Sequence, residues 1–410
     1  MDGGHSFLGW VLACLALHGL AACGSSGGSS GSPAAPPAPP PAAQATVIDL
    51  YPSANDGRRF FLLVTAVGEQ SVSMPLAFDT GSAGITLYAP DIFPPDLVSA
   101  AGFVFPQGQH TLSYNGITVT DQTGVRKYGS KEIGRDETGN IGFAQVTFGD
   151  STGSLQTETM PVFLTYLIAD NQTGASVPPA AQRGWFGVND APNSIAVTGA
   201  ATLAEYPECT LTSQGSCYVV SVLKYLQYPA GLDAGFMLAE APLQDCSIAV
   251  ANDCQPAPIL TIGLTKDMEA SFASTKLVCP PTANAYPGPA SIQGYPVCQM
   301  LIPNTTVTVS RQSTGSFTGN ALFDSGTPYM VFGGPAGSFP AAIAPGSMVA
   351  IDVTPGFEYQ YTAGAVFTGS NAGPYSTLVN TSVGETVVGI DYFTTHSFFI
   401  DFTAGTEGWK

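Results

Sequence analysis

The sequence predicts an all-β protein long enough for two domains, and three observations carry that expectation. Glycines (47) and prolines (33) are scattered through the 410 residues, so turn formers interrupt the chain every few positions. The stretches between them are rich in Val, Ile, Thr, Phe and Tyr, residues that fit a pleated, half-buried surface. Only 10% of residues are charged, against about 25% in an average soluble domain. Helical bundles and coiled coils use abundant Ala, Glu, Lys, Leu and Arg with few breakers, so they are excluded. Short strands are predicted at Phe60–Val67, Met74–Phe78, Gly116–Thr120, Ile141–Phe148, Met160–Leu164, Ile259–Leu264 and Thr305–Ser310. One helix is predicted over Val219–Tyr228, stopped by Pro229 and Gly231.

The charge balance excludes further classes. Twelve Lys and Arg face 30 Asp and Glu, for a net charge of −18. No nucleic-acid partner is expected, because phosphate neutralisation needs clustered cations. With 44% hydrophobic residues and so little charge, the chain has enough apolar content to fold.

The N-terminus reads as a leader. Residues 7–22 form an apolar stretch of signal-peptide length, too short for a secure membrane span, although the preceding residues hold no Lys or Arg. Leu20-Ala21-Ala22-Cys23-Gly24 resembles a bacterial lipobox, which implies cleavage before Cys23 and lipidation of its thiol. A Gly/Ser then Pro/Ala spacer follows to residue 45. The expected organisation is a signal peptide over 1–22, a lipidated Cys23 with its linker over 23–45, and a folded body from 46. Such a protein is exported, held at the outer membrane or cell surface by its lipid, or otherwise periplasmic. Six cysteines remain: Cys209, Cys217, Cys246, Cys254, Cys279 and Cys298. An even number in an exported chain reads as disulfides. Many pairings are open to six cysteines; their order suggests three local loops, 209–217, 246–254 and 279–298. Beyond the leader only His110 and His396 are left, and no Cys pair has zinc spacing, so neither a metal nor a cofactor is expected.

One piece of chemistry is duplicated. Leu76-Ala77-Phe78-Asp79-Thr80-Gly81-Ser82 and Ala321-Leu322-Phe323-Asp324-Ser325-Gly326-Thr327 each run an apolar strand into Asp, a small hydroxyl residue, Gly and a second hydroxyl residue. A single copy reads equally well as a strand ending in a turn. Two copies point to a paired site. Carboxylates brought together around one water cannot both ionise cheaply, so one proton is shared and the pair titrates as a unit. The ionised member can take a proton from water while the protonated member donates to an amide carbonyl. Glycine lets the two loops approach, and short hydroxyls can hold the outer oxygens.

On these motifs the sequence resembles the pepsin-like aspartic peptidases. Further pieces follow in family order. Tyr128-Gly129-Ser130 lies on a candidate flap hairpin, with Gly139-Asn140-Ile141-Gly142-Phe143-Ala144-Gln145-Val146 as its return strand. Gly184-Trp185-Phe186-Gly187-Val188 resembles the segment that backs the first active-site loop. The predicted helix and Phe236-Met237-Leu238 are similar to the connection between lobes, and Ile259-Leu260-Thr261-Ile262-Gly263 to a C-lobe strand. Val387-Val388-Gly389 with Phe398-Phe399-Ile400-Asp401-Phe402 is similar to the closing pattern. The resemblance implies an all-β bilobal pepsin-like fold with a few short helices, an N-terminal lobe over 46–235, a C-terminal lobe over 236–410, and the active site in the cleft between them. Asp79 and Asp324 would be the catalytic dyad. Ser82 and Thr327 would hold their outer oxygens, Thr80 and Ser325 would tie the loops together, and Gly81 and Gly326 would give close backbone contacts. Tyr128 would cover a bound peptide, with Tyr114 as its nearest rival. The implied protein is a monomeric endopeptidase acting on peptides or proteins. The alternative is a catalytically silent pepsin-like surface protein with a binding or inhibitor-like role, and a structural β-protein is a third reading. A serine-type triad using His110 or His396 lacks an accompanying motif.

Three departures stand out. Thr86 occupies a place where many members of that family carry a Trp partner for the flap tyrosine, so flap support must differ. The segment between Tyr128 and Gly139 is longer than usual, and Arg126, Lys127, Lys131 and Arg135 cluster around it. These cations read either as a solvated tip paired with nearby acids or as an attractor of acidic substrates. Residues 24–45 contain no Lys or Arg, so the chain is expected to fold without a basic, cleavable inhibitory segment.

Overall fold

Two long strands, Arg59–Val67 and Gln70–Asp79, set the frame. They are joined by Gly68-Glu69, where Gly68 takes a φ of 57°, and they pair antiparallel from Val67↔Gln70 to Phe61↔Ala77. The computed structural model describes residues 43–129, 134–177, 183–201, 209, 215–280, 289–353, 356–368 and 372–410. The leader, Cys23, the linker through residue 42, Ser130 and Lys131 lie outside the described residues. Residues Ala42–Lys410 form one unit.

The first strand, Thr46–Ser53, serves two layers. Residues 51–53 pair with the start of 59–67, whereas 46–50 pair with Ala257–Leu264. From there the ladder continues through Asp233–Leu238, Phe398–Asp401, Thr406–Trp409 and Ala273–Lys276. The beginning, middle and end of the body thus share one antiparallel layer. A separate seven-stranded sheet is built from Ile302–Ser310, Gly315–Phe323, Met330–Phe332, Met348–Val353, Phe357–Thr362, Thr377–Val379 and Glu385–Val388.

Each duplicated motif is backed by a parallel strand. Gly184–Val188 runs parallel to 70–79 with Gly187 beside Asp79, and Glu385–Val388 runs parallel to 315–323 with Val388 beside Phe323. Strand alternation then separates two tasks. Phe78 and Phe323 are fully buried. Phe78 packs on Phe186 and Phe236, and Phe323 on Tyr392, Phe398 and Trp409. The next residue is the Asp in each case: Asp79 ends its strand and Asp324 directly follows its own. Core packing on one face therefore fixes where the carboxylate emerges on the other.

The sequence-predicted strands fall within observed ones, except that Gly116 belongs to the turn before Ile117–Tyr128 and that Ile141–Phe148 is divided at Gln145 between Arg135–Ala144 and Val146–Gly149. The predicted helix is corrected. Val219 ends the strand Ser216–Val219, paired with Asn193, and only Val222–Tyr225 makes a single 3₁₀ turn. All four residues of that turn are buried, and the Lys224 ammonium is drawn inward to a buried ion pair with Asp190 and to the Pro296 carbonyl at 2.5 Å. Sheet pairing at one end and an inward charge in the middle outweigh the local helical pattern.

Disulfides join Cys209 to Cys217, Cys246 to Cys254 and Cys279 to Cys298, which is the chemistry of an exported protein. Among the described residues, no helix is long and apolar enough to cross a membrane.

Candidate active site

The two Asp loops meet through four reciprocal hydrogen bonds beneath the carboxylates. The Thr80 N–H donates to Ser325 Oγ (3.1 Å) and the Thr80 hydroxyl to the Phe323 carbonyl (2.7 Å). The Ser325 N–H donates to Thr80 Oγ1 (2.9 Å) and the Ser325 hydroxyl to the Phe78 carbonyl (2.8 Å). Thr80 and Ser325 are both fully buried. Each side chain satisfies one donor and one acceptor of the opposite loop, and buried backbone groups need such partners.

Above this lattice the carboxyls are held in matching cradles. Asp79 accepts from the N–H groups of Gly81 (2.8 Å) and Ser82 (3.1 Å) and from the Ser82 hydroxyl (2.6 Å). Asp324 accepts from the Gly326 N–H (2.8 Å) and the Thr327 hydroxyl (2.5 Å). The glycines are required by space. A Cβ on Gly81 would sit 2.2 Å from Asp324 Cγ, and one on Gly326 would sit 2.6 Å from Asp79 Oδ1. Glycines of the backing segments are equally confined. A Cβ on Gly187 would lie 2.7 Å from the Ser82 carbonyl oxygen, and one on Gly389 would lie 2.6 Å from that of Thr327.

The two carboxyls hydrogen-bond each other. Burial first, and then the Asp79 charge, push Asp324 up to about 8. Asp79 accepts three hydrogen bonds from its own loop and Asp324 two, so the shared proton belongs on Asp324 and the charge on Asp79. The arrangement can take a proton at one carboxyl while giving one at the other.

Tyr128 ends the strand Ile117–Tyr128 and faces Arg135 across the hairpin. Its ring stacks on Trp185 at 4.5 Å, and its hydroxyl is hydrogen-bonded to Thr86 Oγ1 at 3.0 Å. Trp185 lies directly opposite Thr86 in the antiparallel pairing of 184–188 with Ala83–Tyr88. The indole missing at position 86 is thus supplied from the adjacent strand. Arg126 joins this group. It donates to Thr86 Oγ1 (2.9 Å) and the Ala83 carbonyl (3.0 Å), with its guanidinium 4.9 Å from the Tyr128 ring centre. Tyr114 sits instead against Phe93. His110 pairs with Asp121, and His396 stacks on Tyr392; neither lines the cleft.

The cleft above the dyad has a volume of about 1090 Å³ and is walled by Asp79, Asp324, Tyr128, Trp185 and a group of cations. Sequence reasoning missed Trp185 and Arg59 among its residues. Trp185 was legible only as part of a backing strand. Arg59 was visible as half of an Arg58-Arg59 pair in a cation-poor chain, but nothing local ties it to a site 20 residues downstream. In the structure its Nε–H donates to the Gly326 carbonyl (3.1 Å), and its guanidinium lies 5.0 Å from the Trp185 ring centre.

No family model and no curated protein matches the chain. Solved structures do. The crystal structure of the aspartic proteinase from Irpex lacteus superposes with a TM-score of 0.53 at 14% identity, covering 90% of this chain and 97% of that one. The fold is pepsin-like. Basic 7S globulin from soybean also matches, with a TM-score of 0.49 at 10% identity over 90% of this chain and 96% of that one.

Replacing Thr80 by Ala removes a hydroxyl that serves two buried backbone groups of the opposite loop. The expected loss is about 2–4 kcal/mol of unfolding free energy, read from urea denaturation. A change under about 0.5 kcal/mol would mean that the loops are joined by something other than this lattice.

Proposed function

We propose that the protein is an aspartic endopeptidase that hydrolyses peptide bonds with a water activated between Asp79 and Asp324. The observation that carries this reading is the direct contact of the two carboxyls, each in its own cradle of N–H and hydroxyl donors. In this mechanism Asp79, ionised, takes a proton from water as the water oxygen bonds to the scissile carbonyl carbon. Asp324 gives its proton to the carbonyl oxygen, producing a tetrahedral diol. Collapse breaks the C–N bond as the proton held on Asp79 passes to the amine nitrogen, while one diol hydroxyl returns its proton to Asp324 and becomes the C=O of the new carboxyl group. Tyr128, stacked on Trp185, lies over the substrate and limits water at the site. Segments 46–235 and 236–410 act as the two lobes, and the protein works as a monomer on peptide or protein substrates.

A second reading, a pepsin-like binding protein without turnover, is favoured by one contact: Arg59 occupies the Gly326 carbonyl beside the dyad. One experiment separates the two. A denatured protein is incubated from about pH 3 to about pH 9, with and without a statine-type inhibitor. The endopeptidase reading expects inhibitor-sensitive cleavage that falls as the pH rises through about 8, where Asp324 loses the proton it must donate. The sign for stability is the same. The stabilisation from a neutral Asp324 is complete below its ordinary 3.8 and is lost as the pH climbs through its raised value. Asp79→Asn and Asp324→Asn should each lower kcat/KM by at least about 10²-fold. Cleavage that survives both substitutions would refute the dyad, and inhibitor binding without cleavage would support the second reading.

We also infer that the body is tethered to a membrane through a lipid on Cys23, on the strength of Leu20-Ala21-Ala22-Cys23-Gly24 and the spacer behind it. Metabolic labelling with a radioactive fatty acid should mark the wild-type protein and not Cys23→Ser. Equal labelling of both would rule the anchor out.

A further inference from the structure

The chain carries −18 overall and has only twelve Lys and Arg, yet among the described residues five of them line this cleft: Arg58, Arg59, Arg126, Lys127 and Arg135. The carboxylates among the same lining residues are the dyad itself.

Most of these cations are already engaged. Arg58 pairs with Asp391 at 2.5 Å, Arg135 with Glu137 at 2.8 Å, and the largely exposed Lys127 reaches Asp136 at 3.7 Å. Arg126 spends both terminal nitrogens on Thr86 and Ala83. Arg59 differs. Its Nε–H is placed on the Gly326 carbonyl, its guanidinium lies 5.0 Å from the Trp185 ring centre, and among the described residues its terminal nitrogens form no ion pair or hydrogen bond, although the dyad carboxyls are close enough to favour its charge. Burial and the neighbouring Arg135 push it down to about 10, so it remains a cation through the neutral range. A partly buried guanidinium with a free edge is a fork shaped for a planar carboxylate.

We propose that Arg59 determines specificity by receiving the side-chain carboxylate of a substrate Asp or Glu, so that the cleft selects acidic peptides. The inference rests on the peptidase reading for its substrate. Gly326 holds Asp324 through its N–H and Arg59 through its carbonyl. At about 3.3–3.6 Å per extended residue, the recognised side chain lies within about two residues of the scissile bond. Of the cations flagged in the sequence around the hairpin, Arg126, Lys127 and Arg135 lie among the described residues and are held by neighbours within the fold. Arg126 is buried and braces the flap tyrosine through Thr86, Arg135 is held by Glu137, and the receptor is contributed by another strand.

The test uses peptide pairs that differ only by Glu or Gln, placed in turn at each of the two positions on either side of the cleaved bond. At one position the wild-type protein should cleave the Glu peptide with a kcat/KM at least about tenfold above its Gln twin. The preference should shrink as salt is raised. In Arg59→Gln the Glu/Gln ratio should fall towards one, and Arg59→Lys should restore part of it; thermal unfolding confirms that both variants are folded. A wild-type ratio near one at every position, or a preference that Arg59→Gln leaves intact, overturns the proposal. Absence of cleavage of every peptide and of denatured protein is a failure of the peptidase reading instead. Calorimetry of the same pairs on the wild-type protein then decides the inference. Tighter binding of a Glu peptide that is lost in Arg59→Gln upholds it, and equal binding of the twins ends it.

Discussion

Two carboxyl groups in hydrogen-bonding contact, away from most of the water that would screen them, is the constraint on which the rest of this structure depends. Left alone, the pair would separate or draw in solvent. Here each Asp follows a phenylalanine locked in the core, Phe78 or Phe323, so neither loop can drift without disturbing aromatic packing. Thr80 and Ser325 cross-link the loops directly below. Gly81 and Gly326 remove the side chains that would force them apart. The unfavourable proximity is offset by hydrogen bonds to the charged form and by one retained proton.

Charge is scarce in this chain, and where it occurs inside the fold it links distant segments. Asp190, just past the backing strand 184–188, pairs with Lys224, whose ammonium also reaches Pro296 and lies 5.4 Å from the Phe402 ring centre. Arg58, at a φ of 55°, pairs with Asp391 two residues beyond Gly389, while its neighbour Arg59 turns to Gly326. The adjacent arginines thus hold both the second Asp loop and the helix Ile390–Phe393 that follows its backing strand. A buried pair of this kind contributes little net stability, but removing one partner strands the other, so it specifies geometry.

How far this was legible in the sequence depended on whether the signal was local. The strands were readable because β-branched runs between turn formers need no distant partner. The Asp loops were readable because the same short pattern occurs twice, whereas the backing segments Gly184–Val188 and Val387-Val388-Gly389 were readable only through the family resemblance, since a Gly-rich apolar stretch is by itself unspecific. The segment after Val219 was misread because its helical pattern is outweighed by pairing with Asn193 and by a lysine turned into the interior. Trp185 beside Tyr128 and Arg59 beside Gly326 were not readable at all. The first arises from strand register, which places Trp185 opposite Thr86, and the second joins segments 267 residues apart.

The shared proton is the centre of the account, and infrared difference spectroscopy of the carboxyl groups addresses it most directly. Subtracting the spectrum of Asp324→Asn from that of the wild-type protein at about pH 6 should leave the stretch of one protonated carboxyl. That band should disappear as the pH rises through about 8. A difference spectrum with only ionised carboxylate at pH 6, or a protonated band that titrates away in the ordinary carboxylate range, would contradict a dyad built to keep one proton.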